Sequence, residues 1–88
     1  MSTFVTEVRV MLKPSVNDPQ GLSIRNALRT LGFNVADVRA GKLIQVRLEA
    51  QSRAEAEATV TAMSEKLLAN PVIETFEFSV NEVPAHAP

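Results

Sequence analysis

The 88-residue chain has no cysteine and a single histidine, His86. The first absence excludes disulfides, thiolate metal sites and thiol nucleophiles. It fits a reducing cytoplasm, where we expect the protein to work. The second leaves serine hydrolysis without a base, because His86 sits in a tail with little to hold it in place. No clustered set of metal ligands is present, and no glycine-rich stretch has the spacing of a Walker loop. Charge of one sign is also lacking. The net charge is −1, so no strong field draws nucleic acid or an anionic membrane surface. No apolar run approaches the roughly 20 residues of a membrane span. Met1-Ser2-Thr3-Phe4 has no basic region followed by an apolar run, so no signal peptide is expected.

What is present is periodicity. A chain of this length makes one small domain that hides only about 60–65% of its unfolded surface, so a partner is a common source of further stability. From Phe4 to Lys13 the residues alternate, with Phe4, Thr6, Val8, Val10 and Leu12 on one face. Period two with one apolar face is a half-buried strand, and Pro14 ends it. Asp18-Pro19 opens a helix: the carboxylate accepts from free first-turn amides, and proline needs no N–H there. Ile24, Ala27, Leu28 and Leu31 form its apolar stripe, predicted to be buried. Gly32 is placed to stop it in a left-handed cap, with Phe33 packing back on Leu28. Arg25 and Arg29 lie off the stripe, towards water.

Val35 to Ala40 and Leu43 to Ala50 alternate again, with Gly41 between them. This pattern predicts a β-hairpin turning at Gly41. Ser52-Arg53-Ala54-Glu55 is a capping box opening a second helix, with Ala56, Val60, Met63 and Leu67 as its predicted buried stripe and Asn70-Pro71 closing it. A last strand runs from Val72 to Val80, with Phe76, Phe78 and Val80 inward. Residues 81–88 carry two prolines and little to bury, and read as a disordered tail.

The order is βαββαβ. It predicts an α+β split βαβ (ferredoxin-like) sandwich, a four-stranded antiparallel sheet with two helices on one face. The opposite face mixes charge with Val5, Met11 and Leu43, so that face or a strand edge is a candidate oligomer contact. The same strand order supports RNA-binding modules, but these stack bases on aromatic residues. Leu43, Gln45 and Arg47 stand at the exposed third-strand positions. An acylphosphatase would need a glycine-rich, arginine-bearing loop after the first strand, and Lys13-Pro14-Ser15-Val16-Asn17 is not one. The carboxylates Glu7, Asp37, Glu49, Glu74 and Glu77 are scattered along strands, as on a solvated sheet. Arg39 and Lys42, flanking Gly41, are placed to hold an anion or an acidic group.

Non-periodic residues discriminate further. Leu12-Lys13-Pro14, Val16 and Asp18-Pro19-Gln20-Gly21 are followed by Leu31-Gly32-Phe33, then Val38-Arg39 with Gly41-Lys42, then Lys66 to Glu74 in the order Lys-Leu-Leu-Ala-Asn-Pro-Val-Ile-Glu. Together they resemble the PurS family, the small subunit of phosphoribosylformylglycinamidine (FGAM) synthase. Ser15 stands where a glycine is more usual. The resemblance implies a single PurS-like domain over residues 1–80 and a non-catalytic subunit of a purine-biosynthetic ligase complex. It implies two partners: a large synthetase subunit, which would hold ATP and Mg, and a glutaminase subunit. The small chain would bridge them, support ammonia transfer and form a homodimer or higher oligomer, with no cofactor, metal or catalytic residue of its own. Lys13, Asp18, Gln20, Arg39, Lys42 and Asn70 are the candidate partner-contacting residues. A regulatory module of the ACT type, which shares the predicted fold, is the alternative; a small enzyme lacks a base or nucleophile.

Overall fold

The computed structural model describes residues 1–84; His86 and the rest of the predicted tail from 85 to 88 lie outside the described residues. Strand β1 (Ser2–Leu12) leads to helix α1 (Pro19–Thr30), strand β2 (Gly41–Ala50), helix α2 (Arg53–Met63), which continues as a π-helical segment over Ser64–Leu68, and strand β3 (Glu74–Glu82). The sheet order is β2-β1-β3, with both pairings antiparallel.

The inward face follows the alternation. Phe4, Thr6, Val8 and Val10 of β1 are all but fully buried. The one hydroxyl among them is not left unpaired: Thr6 donates to the Ser79 carbonyl at 2.7 Å. Ile44 and Leu48 of β2 and Phe76 and Phe78 of β3 pack beside them, under Ala56 and Val60 of α2. Strand β3 runs two residues past Val80, so Asn81 and Glu82 belong to the sheet and not to a tail. Beyond them the Val83 amide donates to the Thr3 carbonyl.

Three further expectations are corrected. The sheet has three strands, not four, because Val35–Ala40 forms no ladder. Side chains take up its backbone groups instead: Arg29 donates to the Val35 and Ala36 carbonyls, and the Ala40 amide donates to Asp18. There is accordingly no hairpin at Gly41, which is the first residue of β2 and lacks a positive φ; a Cβ there would strike Met11 Sδ and the Val10 carbonyl. Close backbone approach, not a turn, is what calls for glycine at this position.

The second correction concerns the helices. Only α2 packs on the sheet. Ile24 and Leu31 of α1 are exposed, Leu31 at 72%, and Phe33 is 58% exposed. The cap itself is as predicted: Gly32 has φ 97°, and the Gly32 and Phe33 amides donate to the Arg29 and Leu28 carbonyls, the two bonds of a Schellman motif.

The third is a change of phase in α2. Leu67 is 83% exposed, whereas Ser64 and Ala69 are buried. The π-helical turns over Ser64–Leu68 use more residues per turn than an α-helix. They rotate Leu67 out and bring Leu68 and Ala69 against the sheet. None of the described helices is long and apolar enough to cross a membrane.

Candidate functional site

Most of the polar residues singled out in the sequence gather at one end of the sheet, where β1 ends and β2 and β3 begin. The register sets this: Met11 faces Gly41 on one side and Thr75 on the other. The Lys13 amide donates to the Ile73 carbonyl at 2.8 Å, extending the β1–β3 pairing by one bond.

Asp18 is the centre of the arrangement. It is 6% exposed. One carboxylate oxygen caps α1 by accepting from the Gly21 amide at 2.9 Å, and the other accepts from the Ala40 amide at 2.7 Å. These two bonds, the first above all, hold its pKa below the ordinary 3.8; burial opposes them and the Arg39 guanidinium adds to them. Gly21 is buried beside it, and a Cβ there would strike the Val38 carbonyl. The Asp-Pro-Gln-Gly run therefore does more than start a helix. Its aspartate and glycine let the returning segment, residues 38–40, lie directly against the first turn of α1.

Arg39 reaches across the same joint. Its Nη2 donates to the Lys13 and Val16 carbonyls, each at 3.0 Å, and so fixes the loop after β1. Lys42 lies 3.6 Å from Glu74, with 58% of its side chain exposed. Glu74 also accepts from the Asn70 amide at 2.7 Å, and the Asn70 side chain accepts from the Val72 amide at 3.0 Å. Both cations thus have partners that spacing along the chain does not show, because the fold alone brings them together. Gln20 and Asn70 are exposed, and Lys13 is half-buried.

Two shallow clefts open at this end. One, of about 350 Å³, is lined by Met11, Leu12, Pro14, Asp37, Arg39 and Thr75. The other, of about 290 Å³, includes Ser64, Glu65, Glu74 and Phe76. Among the described residues no three His, Cys, Asp or Glu side chains come together to hold a metal ion. What the end of the sheet offers is a rigid polar rim, held by backbone hydrogen bonds, with Lys42, Gln20 and Asn70 on its exposed side.

The family model for PurS, described as phosphoribosylformylglycinamidine (FGAM) synthase, matches residues 5–82. The FGAM synthase subunit PurS of Bacillus subtilis is 43% identical over 83 residues, covering 93% of this chain and 98% of that protein. Thermus thermophilus PurS superposes with a TM-score of 0.85 at 35% identity, over 93% of this chain and 99% of that one. A chain of the PurLQS structure from Thermotoga maritima gives a TM-score of 0.81 at 36% identity, over 94% of this chain and all of its own length.

Proposed function

This chain belongs to the PurS family, and we therefore propose that it serves as the small subunit of FGAM synthase in purine biosynthesis. The observation that carries this reading is the match along nearly the whole chain to PurS proteins, among them a chain of a PurLQS structure. In this role the chain performs no bond-making step. It bridges a synthetase subunit, where ATP and Mg are used, and a glutaminase subunit, and supports the transfer of ammonia between them. It acts in the cytoplasm and as a homo-oligomer. The polar end of the sheet is the surface we assign to partner contact. Lys13, Gln20, Lys42 and Asn70 supply its accessible groups, while Asp18 and Arg39 hold its shape.

The test is reconstitution with the two partner subunits. FGAM formation is followed with glutamine or with ammonium as nitrogen source, with and without this chain. The glutamine-driven rate should depend on the chain, and the ammonium-driven rate should not. Neither rate responding would remove the reading. Lys42→Ala, which removes the lysine while Glu74 keeps its bond from the Asn70 amide, should weaken assembly with the partners while the circular dichroism spectrum stays unchanged. Undiminished assembly would move the contact elsewhere.

A further inference from the structure

The π-helical segment after α2 is closed by a wide turn: the Ala69 amide donates to the Ser64 carbonyl at 2.9 Å, five residues back. Ala69 itself is extended. The Ile73 and Glu74 amides then donate to the Asn70 carbonyl at 3.1 and 2.7 Å. These bonds fix two walls, one from the π-helical segment and one from the Asn70–Glu74 turn into β3. Between them lies the cleft of about 290 Å³, whose lining includes Ser64, Glu65, Ala69, Pro71, Glu74 and Phe76. Short π-helical stretches are rare and recur at functional sites.

Ser64 stands apart in this lining. It is fully buried, and its Oγ has no hydrogen-bond partner among the described residues. The buried hydroxyl of Thr6, by contrast, is paired. Buried polar groups are normally paired, so the bond missing at Ser64 is one that a bound group can supply. Glu65 is exposed and makes no ion pair among the described residues. Glu74 accepts from the Asn70 amide through one oxygen and meets Lys42 at 3.6 Å through the other. The lining thus carries two carboxylates and no lysine, arginine or histidine, which disfavours phosphates and other anions and favours a cation. Ala69, Pro71 and Phe76 suit an aliphatic stem. The volume falls just under the roughly 300–1,000 Å³ of small-molecule pockets, which suits a single side chain. Leu67 and Val72, on the segments that form the two walls, are 83% and 76% exposed, a pair that a small molecule would leave uncovered.

We propose that this cleft receives a lysine side chain from a partner subunit. The methylenes lie against Ala69, Pro71 and Phe76, as lysine stems do on apolar surface. The ammonium, a compact head with three donors, meets the Glu65 carboxylate, the Ser64 hydroxyl and Glu74 beside Lys42. Leu67 and Val72 form the apolar rim that the partner's surface covers. The preference for an alkylammonium group follows from the lining; its assignment to a partner rests on the subunit role proposed above.

The first test uses the full chain alone. Nα-acetyl-lysine N-methylamide is titrated into isotope-labelled protein and followed by amide NMR, beside the same compound acetylated on Nε, which keeps the stem and loses the charge. Saturable shifts are expected at the Glu65, Ala69 and Phe76 amides with the charged compound only. Ser64→Ala and Glu65→Gln should each raise its dissociation constant about fivefold or more. A hydroxyl buried for structure alone would leave that constant unchanged in Ser64→Ala. That result overturns the proposal, as do absent shifts or equal shifts with the neutral compound. The second test is zero-length carbodiimide coupling in the complex reconstituted with both partner subunits. It should join Glu65 to a partner lysine, and the link should vanish in Glu65→Gln. Assembly without that link overturns the assignment to a partner lysine. Failure to assemble removes the subunit role, and the preference of the cleft for alkylammonium then stands or falls by the titration.

Discussion

The two helices of this chain have nearly the same length, 12 residues in α1 and 11 in α2, and each begins on a side-chain cap. Their surroundings differ completely. Helix α2 places Ala56 and Val60 against the sheet at zero exposure, while α1 leaves its apolar stripe in solvent. The contrast separates two questions that an amphipathic pattern merges. Periodicity shows that a helix face is to be covered. Which surface does the covering depends on the joint at the helix end, here Asp18 accepting from both Gly21 and Ala40.

Substitution with a charge is the strongest way to divide the helices. Val60→Asp buries a carboxylate with no partner and should cost more than about 4 kcal/mol, enough to unfold a small domain. Ile24→Asp should leave the far-ultraviolet spectrum largely native. Equal loss of structure in both variants would mean that α1 is part of the protomer's own core. A smaller effect is expected at the joint. Gly21→Ala drives a methyl group into the Val38 carbonyl, at a cost of about 1–3 kcal/mol. Hydrogen exchange should speed up at Ala40 and along α1 but not at the β1 amides. Acid gives the mildest perturbation. The folded pKa of Asp18 lies below the ordinary 3.8, so its stabilisation is complete above about pH 4 and is lost as pH falls through the lower folded value. Asp18→Asn should remove that part of the acid transition in thermal melts recorded from pH 5 to pH 2. An unchanged transition would assign the acid sensitivity to other carboxylates.

Local signals are readable in the sequence. The alternation in β1, β2 and β3 marks the inward residues, because each strand has one wet and one buried face. Asp18, Ser52 and Gly32 mark helix ends through bonds made within a few residues: Ser52 Oγ accepts from the Glu55 amide at 3.1 Å. Val35–Ala40 reads as a strand because it alternates like one, while in the fold its first two carbonyls and its last amide are taken by Arg29 and Asp18. Leu67 reads as buried because a π-helical stretch shifts the phase of α2 without a distinctive residue to announce it. Among the candidate site residues, position is legible and local role is not. Arg39 reads as free because Lys13 and Val16 meet it only through the fold. Lys42 reads as free because Glu74 lies far along the chain.

The bond from Ala40 to Asp18 spans 22 positions, and it closes the loop that contains the whole of α1. In a secreted mini-protein a covalent bridge commonly does this work, removing chain entropy from the unfolded ensemble. Here one carboxylate makes the closure, and a hydrogen bond, unlike a disulfide, leaves the unfolded chain unconstrained. The closure is therefore indifferent to reductants and is weakened only where the Asp18 carboxylate takes up a proton.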